Sequence, residues 1–238
     1  MSWRAAFVAG ELIDARLAAT PGADVDARHG DALDVLQLHA GLRASGLFTR
    51  DDEASLLVGR FTLDWGSRRV VARNDFRNTI NAFTGALARW NDSQGHGARA
   101  FVAAPVERFP SATDAVLANT IAPDLERTDT LLFGFATRHP VEPASGTQLE
   151  ASLLGLHERD APGSRTRDRR LATASVRLMR PPATGLPDFQ LEAFAQWGTS
   201  RASNAAADLA DLAHLAFSLH ASTGLTLDHA WRPRIAFA

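Results

Sequence analysis

Period-two alternation of apolar and polar residues dominates the chain. Phe61, Leu63 and Trp65 alternate with Arg60, Thr62 and Asp64. Ala172, Ala174, Val176 and Leu178 alternate with Thr173, Ser175 and Arg177, and Leu215, Phe217 and Leu219 with His214, Ser218 and His220. Phe189, Leu191, Ala193, Ala195 and Trp197 alternate with Gln190, Glu192 and Gln196, where only Phe194 breaks the polar set. Trp231, Pro233, Ile235 and Phe237 alternate with Arg232 and Arg234. Successive side chains of a strand point to opposite faces, so each segment reads as a ribbon with one apolar and one polar face. Less regular strands are expected near 3–14, 32–42, 83–90, 98–106, 130–138, 148–157 and 225–229. Turn-forming stretches lie at 20–24, 91–95, 142–146, 160–164 and 183–187; their Gly and Pro residues interrupt strands. The sum is an all-β chain of about twelve strands with regular spacing. Two segments also admit a helix: 31–44, and 204–221, where Asn204 offers a cap and Leu209, Leu212 and Ala216 stand at helical spacing.

An all-β ribbon pattern has two homes. A soluble sandwich turns its apolar faces inward, whereas an outer-membrane barrel turns them to lipid and lines a lumen with the polar ones. Alternation alone does not choose. In the barrel, Phe61, Leu63, Trp65, Leu191 and Trp197 face lipid, opposite Arg60, Asp64, Gln190 and Glu192. Aromatic residues at strand ends suit the membrane interface.

Composition narrows the classes. The 238 residues suggest one domain spanning 1–238, and no linker interrupts them. Cys is absent, which removes disulfides and thiolate metal sites. Every basic residue is Arg, and the net charge of -2 excludes a strongly basic nucleic-acid binder. No apolar run approaches the roughly 18 residues of a transmembrane helix. The stretch from Ala5 to Gly10 is too short for a signal-peptide core, so the expectation is a processed start or a missing upstream segment. Catalytic motifs are lacking. His157-Glu158 has no second His at metal-ligand spacing, Gly163-Ser164 lacks the frame of a nucleophile elbow, and no carboxylate pair stands out. The reading is therefore no enzyme, no cofactor and no metal.

One stretch carries a resemblance. Leu57-Val58-Gly59-Arg60-Phe61-Thr62-Leu63-Asp64-Trp65-Gly66-Ser67-Arg68-Arg69-Val70 is followed by Asn74-Asp75-Phe76-Arg77-Asn78-Thr79 and then Ala82-Phe83. It resembles the alginate-export family of bacterial outer-membrane proteins: a Gly-Arg-bearing strand, an Arg-containing loop, and an aromatic-Arg-Asn turn before a Phe-led strand. The segments 169–178 and 189–198 and the strand Trp231-Arg232-Pro233-Arg234-Ile235 are similar to family strands. The similarity runs from about residue 30 to the end. It implies an antiparallel up-and-down transmembrane β-barrel in the bacterial outer membrane, porin-like, passing an anionic exopolysaccharide such as alginate. It also implies partners in outer-membrane lipid and periplasmic export components. The family barrel has more strands than this chain supplies and continues past the Trp-x-Pro-Arg strand. The chain thus reads as a truncated or divergent member, a part of a larger barrel. The alternative is a soluble β-sandwich carbohydrate-binding module.

Polyuronate passage needs fixed positive charge, and Arg pairs a carboxylate in two places. Asp and Glu nearby would keep each contact weak enough for release. Strand parity places Arg60, Asp64, Arg99, Glu150, Arg177, Gln190, Glu192 and Arg234 on the polar faces, as candidate substrate-binding residues. Arg68, Arg69, Arg73 and Arg77 form a basic turn suited to recruiting an anionic polymer at the barrel mouth.

Overall fold

The computed structural model describes residues 2–17, 25–74, 79–229 and 231–237. The turn expected at 20–24 and the Asp75–Asn78 part of the aromatic-Arg-Asn turn, Arg77 included, lie outside the described residues.

Twelve strands follow in chain order: β1 (Ser2–Ala15), β2 (Asp31–Ser45), β3 (Glu53–Phe61), β4 (Phe83–Asn91), β5 (Gly97–Glu107), β6 (Leu125–Glu126), β7 (Thr130–Glu142), β8 (Thr147–Glu158), β9 (Arg170–Arg180), β10 (Pro187–Ser200), β11 (Leu212–Thr226) and β12 (Arg234–Phe237). They form one antiparallel up-and-down sheet in which each strand pairs with the next in sequence; only the two-residue β6 leaves this path, pairing with β5 while β7 takes the place beside it. Helix among the described residues is limited to Thr113–Leu117 and a 3-10 turn at Pro143–Ser145. Both disputed segments resolve towards strand: 31–44 lies in β2, and 204–221 is a loop that enters β11 at Leu212. The strand expected at 225–229 is only the end of β11. No helix among the described residues is long and apolar enough to cross a membrane, which leaves crossing by strands open.

The connections at the two ends of the sheet differ. At one end they are short: 46–52, 92–96, 143–146, 181–186 and 227–233. At the other, long segments join β1 to β2, β3 to β4, β5 to β7 and β10 to β11. Short turns on one side and long loops on the other are the habit of outer-membrane barrels.

One face of the sheet is apolar and uncovered. Leu131, Phe133 and Phe135 on β7, Leu191 and Trp197 on β10, and Leu215, Phe217 and Leu219 on β11 are all exposed. No second sheet packs on them, because all the strands belong to a single sheet. A contiguous apolar face of this extent is far larger than soluble monomers leave open, and it removes the sandwich. The opposite, inner face bears Thr173, Arg177, Glu150 and Glu192, all buried. The sheet curls around this face: Arg69, in the segment joining β3 to β4, reaches His220 on β11, Nη2 to Nε2 2.8 Å. The edges β1 and β12 pair only with β2 and β11 among the described residues.

The expected lipid-facing set divides. Leu191 and Trp197 are on the outer face, Trp197 being 43% exposed. Phe61, Leu63 and Trp65 are instead buried on the inner side. The cause lies in β3, whose two faces are both apolar. Leu56 and Val58 take the exposed side and leave the inner side to Leu57 and Phe61. Phe61 does face away from Arg60, as alternation requires, but the sides are reversed.

The facing assignment yields a direct test. Phe217 is 74% exposed, and its neighbour Ser218 lies on the inner face. Phe217→Arg should lower stability by about 2–4 kcal/mol near the bilayer midplane, whereas Ser218→Arg should cost much less. Denaturant unfolding in lipid vesicles measures both.

Candidate functional site: a charged belt under an inward-folded loop

Strand register sets out the site. Arg138 on β7 stands opposite Glu150 on β8, Glu150 opposite Arg177 on β9, Arg177 opposite Glu192 on β10, and Glu192 opposite His220 on β11. Five adjacent strands thus present a transverse belt whose charges alternate in sign before ending in a histidine. Opposite charges facing each other across strands are favourable pairs. Arg177 Nη2 lies 3.5 Å from Glu150 Oε1, and Arg99 on β5 approaches the other oxygen of the same carboxylate at 3.4 Å. Gln190 donates to Glu192 Oε2 at 3.5 Å.

One pair breaks the favourable pattern. Arg89 on β4 stands opposite Arg99. Like charges directly across a ladder are destabilising. Arg89 has no carboxylate partner among the described residues, whereas Arg99 also donates to the Asp64 carbonyl at 3.0 Å. Arg89, Arg99, Arg138 and Glu150 line a polar cavity of about 200 Å³. Four guanidinium groups (Arg89, Arg99, Arg138, Arg177) therefore face two carboxylates, Glu150 and Glu192, and the belt is positive.

The segment 62–74 folds over this belt. Its backbone closes on itself through Trp65 N–H to the Val71 carbonyl at 3.0 Å. The Asp64 carboxylate accepts from Arg73 N–H at 3.0 Å and pairs with Arg68 at 3.2 Å. The Trp65 ring, 3% exposed, stands edge-on to Phe101 with centroids 4.9 Å apart. The Arg99 guanidinium lies 4.4 Å from a Trp65 ring centroid, a cation–π contact. Gly134 provides the seat: a Cβ there would fall 3.1 Å from Trp65 Cζ2 and 2.6 Å from Phe101 Cε1. Gly66, at φ 56°, brings the backbone against the belt; a Cβ on it would lie 3.3 Å from Glu192 Oε1 and 3.5 Å from Glu150 Oε1. The Arg69 guanidinium, a donor-only group, lies 2.8 Å from His220 Nε2 and ties the segment to β11. On its other side the segment borders a cavity of about 390 Å³ lined by Arg68, Arg69, Asn74 and Asn81.

The candidates read from parity separate accordingly. Arg99, Glu150, Arg177, Gln190 and Glu192 come together in the belt. Asp64 organises the inward segment. Arg60 stands apart at the end of β3, donating to the Val35 and Asp124 carbonyls and to Glu126. Arg234 on β12 is bound to Asp188 near the short-turn end of β10. The basic turn is folded inward through Arg68, Arg69 and Arg73 rather than standing free at the mouth. Parity did not single out Arg89, Arg138 or His220 as site residues, and it placed Trp65 on the lipid side. For Arg89 the signal was present: it shares its face with Phe83 and Leu87, whose apolar character masks the inner face of β4.

The family model described as alginate export matches residues 3–238. The chain belongs to the alginate-export family. This is an outer-membrane export family, devoted to transport rather than catalysis, so the coarse role is polysaccharide export. No curated protein and no solved structure matches the chain.

The hold on the inward segment is testable by proteolysis. Trp65→Ala should cost about 3–5 kcal/mol of packing at this seat. Trypsin should then cut after Arg68 and Arg69 in the folded variant but not in the parent, read as peptide masses. Equal cleavage in the two would place the segment outside the barrel.

Proposed function

We propose that this alginate-export chain is a porin-like conduit, one barrel domain over residues 1–238, for an anionic polysaccharide of the alginate type. The observation that carries the reading is the belt: Arg89, Arg99, Arg138 and Arg177 exceed the carboxylates of Glu150 and Glu192 on the inner face of a sheet whose outer face is apolar. A polyuronate carries one carboxylate per sugar and can pass it from one guanidinium to the next. Arg89 is the first receptor, because no carboxylate neutralises it. Arg99 and Arg177 share Glu150, which competes with the cargo and keeps each contact weak. Confinement by a low-dielectric wall leaves these charges less screened than on an open surface. The segment 62–74 narrows the passage immediately beside the belt. Outer-membrane lipid covers the apolar face, and periplasmic export components deliver the polymer at the short-turn end. In lipid the edges β1 and β12 must both be hydrogen-bonded, by each other or by further strands.

Conductance in planar bilayers tests the reading. The parent should prefer anions, and alginate oligomers should obstruct its small-ion current. Arg89→Ala with Arg99→Ala should relieve the obstruction, whereas Arg60→Ala, remote from the belt, should leave it intact. Cation preference in the parent, or obstruction unchanged in the double variant, would defeat the assignment.

A further inference from the structure

A cluster outside the belt has no part in this transport. Asp31 and Asp34 open β2 at the long-loop end, and Asp124 comes from the segment between Thr113–Leu117 and β6. Each offers a carboxylate oxygen within 4.8 Å of the other two. Asp34 and Asp124 are partly engaged. Asp34 accepts from Val35 N–H at 2.5 Å and Asp124 N–H at 2.7 Å, and Asp124 Oδ1 accepts from Phe109 N–H at 2.8 Å. Asp31 is different: it is only 4% exposed, and its Oδ1 is buried with no hydrogen-bond partner. A buried, orphaned carboxylate oxygen beside two further carboxylates is costly unless something positive joins them.

Two guanidinium groups lie near the cluster. Arg60 lies 4.0 Å from Asp34 and directs its hydrogen bonds to the Val35 and Asp124 carbonyls and to Glu126. Arg108 donates to Asn81. Both offset part of the negative charge, and Asp31 Oδ1 is still left without a hydrogen-bond partner.

We infer that Asp31, Asp34 and Asp124 form a calcium site that fastens the start of β2 to the segment following β5 at the long-loop end of the sheet. The donors are all oxygen, the choice of a hard cation. Three protein carboxylates converging on one point suit calcium, which takes many oxygen ligands in flexible geometry, better than magnesium, which keeps several of its waters and binds through one or two carboxylates. Asp31 Oδ1 and the second oxygen of Asp124 are the principal ligands, and water completes the shell.

The test is calorimetric titration of calcium chloride into the full chain, folded in detergent and freed of metal with a chelator. The parent should bind one equivalent with a dissociation constant of about 0.1–1 mM, the range of extracellular modules, and magnesium should bind more weakly. Asp31→Asn and Asp124→Asn should each weaken calcium by about tenfold or more, because ligand charge sets affinity. Asp228→Asn, at the opposite end, should not. Both Asn variants keep the side-chain shape and remove a repelling charge, so each should melt no lower than the metal-free parent while losing the parent's calcium-induced rise in melting temperature. Absence of calcium heat in the parent, or equal calcium binding in Asp31→Asn and Asp124→Asn, overturns the site.

Discussion

The structure depends on one constraint: a single sheet has two faces, and among the described residues no second sheet covers either of them; only the segment 62–74 packs on the inner one. Apolar side chains on β7, β10 and β11 stand uncovered on one side while Arg177, Glu150 and Glu192 are buried on the other. Water cannot favour the first face, and hydrocarbon cannot accept the second. A barrel wall that turns its apolar face outward to lipid and its polar face inward is consistent with both, and the long-loop and short-turn ends follow the habit of such walls.

The inner face also explains the segment 62–74. A lumen lined with guanidinium groups is costly to leave open and unpaired, and strand partners alone do not balance it, since Arg89 faces Arg99. The segment supplies the missing contacts from within: the Asp64 carbonyl and the Trp65 ring on Arg99, and the Gly66 backbone against Glu150 and Glu192. Gly134 and Gly66 are small because the polypeptide passes directly over one and through the other. In the proposed conduit, binding of cargo and position of the segment would be coupled through Arg99, which contacts the segment and belongs to the belt.

Much of this was legible as period-two pattern. The strands, their antiparallel succession, and the opposition of Leu191 and Trp197 to Gln190 and Glu192 follow from alternation alone. So does the placement of Arg99, Glu150 and Arg177 on one face. Alternation failed where a strand is apolar on both sides. In β3, Leu56 and Val58 compete with Leu57 and Phe61, and local sequence cannot say which pair meets lipid. It failed again past Phe61, where the pattern runs on through Leu63 and Trp65 but the hydrogen-bond ladder ends. The seat that draws Trp65 inward is Gly134, and its edge-on partner is Phe101 on β5; neither is visible from the local sequence. Arg60 was drawn into the polar set by parity, although its partners are rim carbonyls and Glu126.

The central claim is that Trp65 lies inside the wall and Trp197 on its lipid side. Single-tryptophan variants, with the remaining tryptophans replaced by Phe, separate the two in vesicles containing brominated acyl chains, which quench only fluorophores they touch. The account predicts strong quenching of Trp197 and little of Trp65. Quenching of Trp65 to the same extent as Trp197 would contradict it.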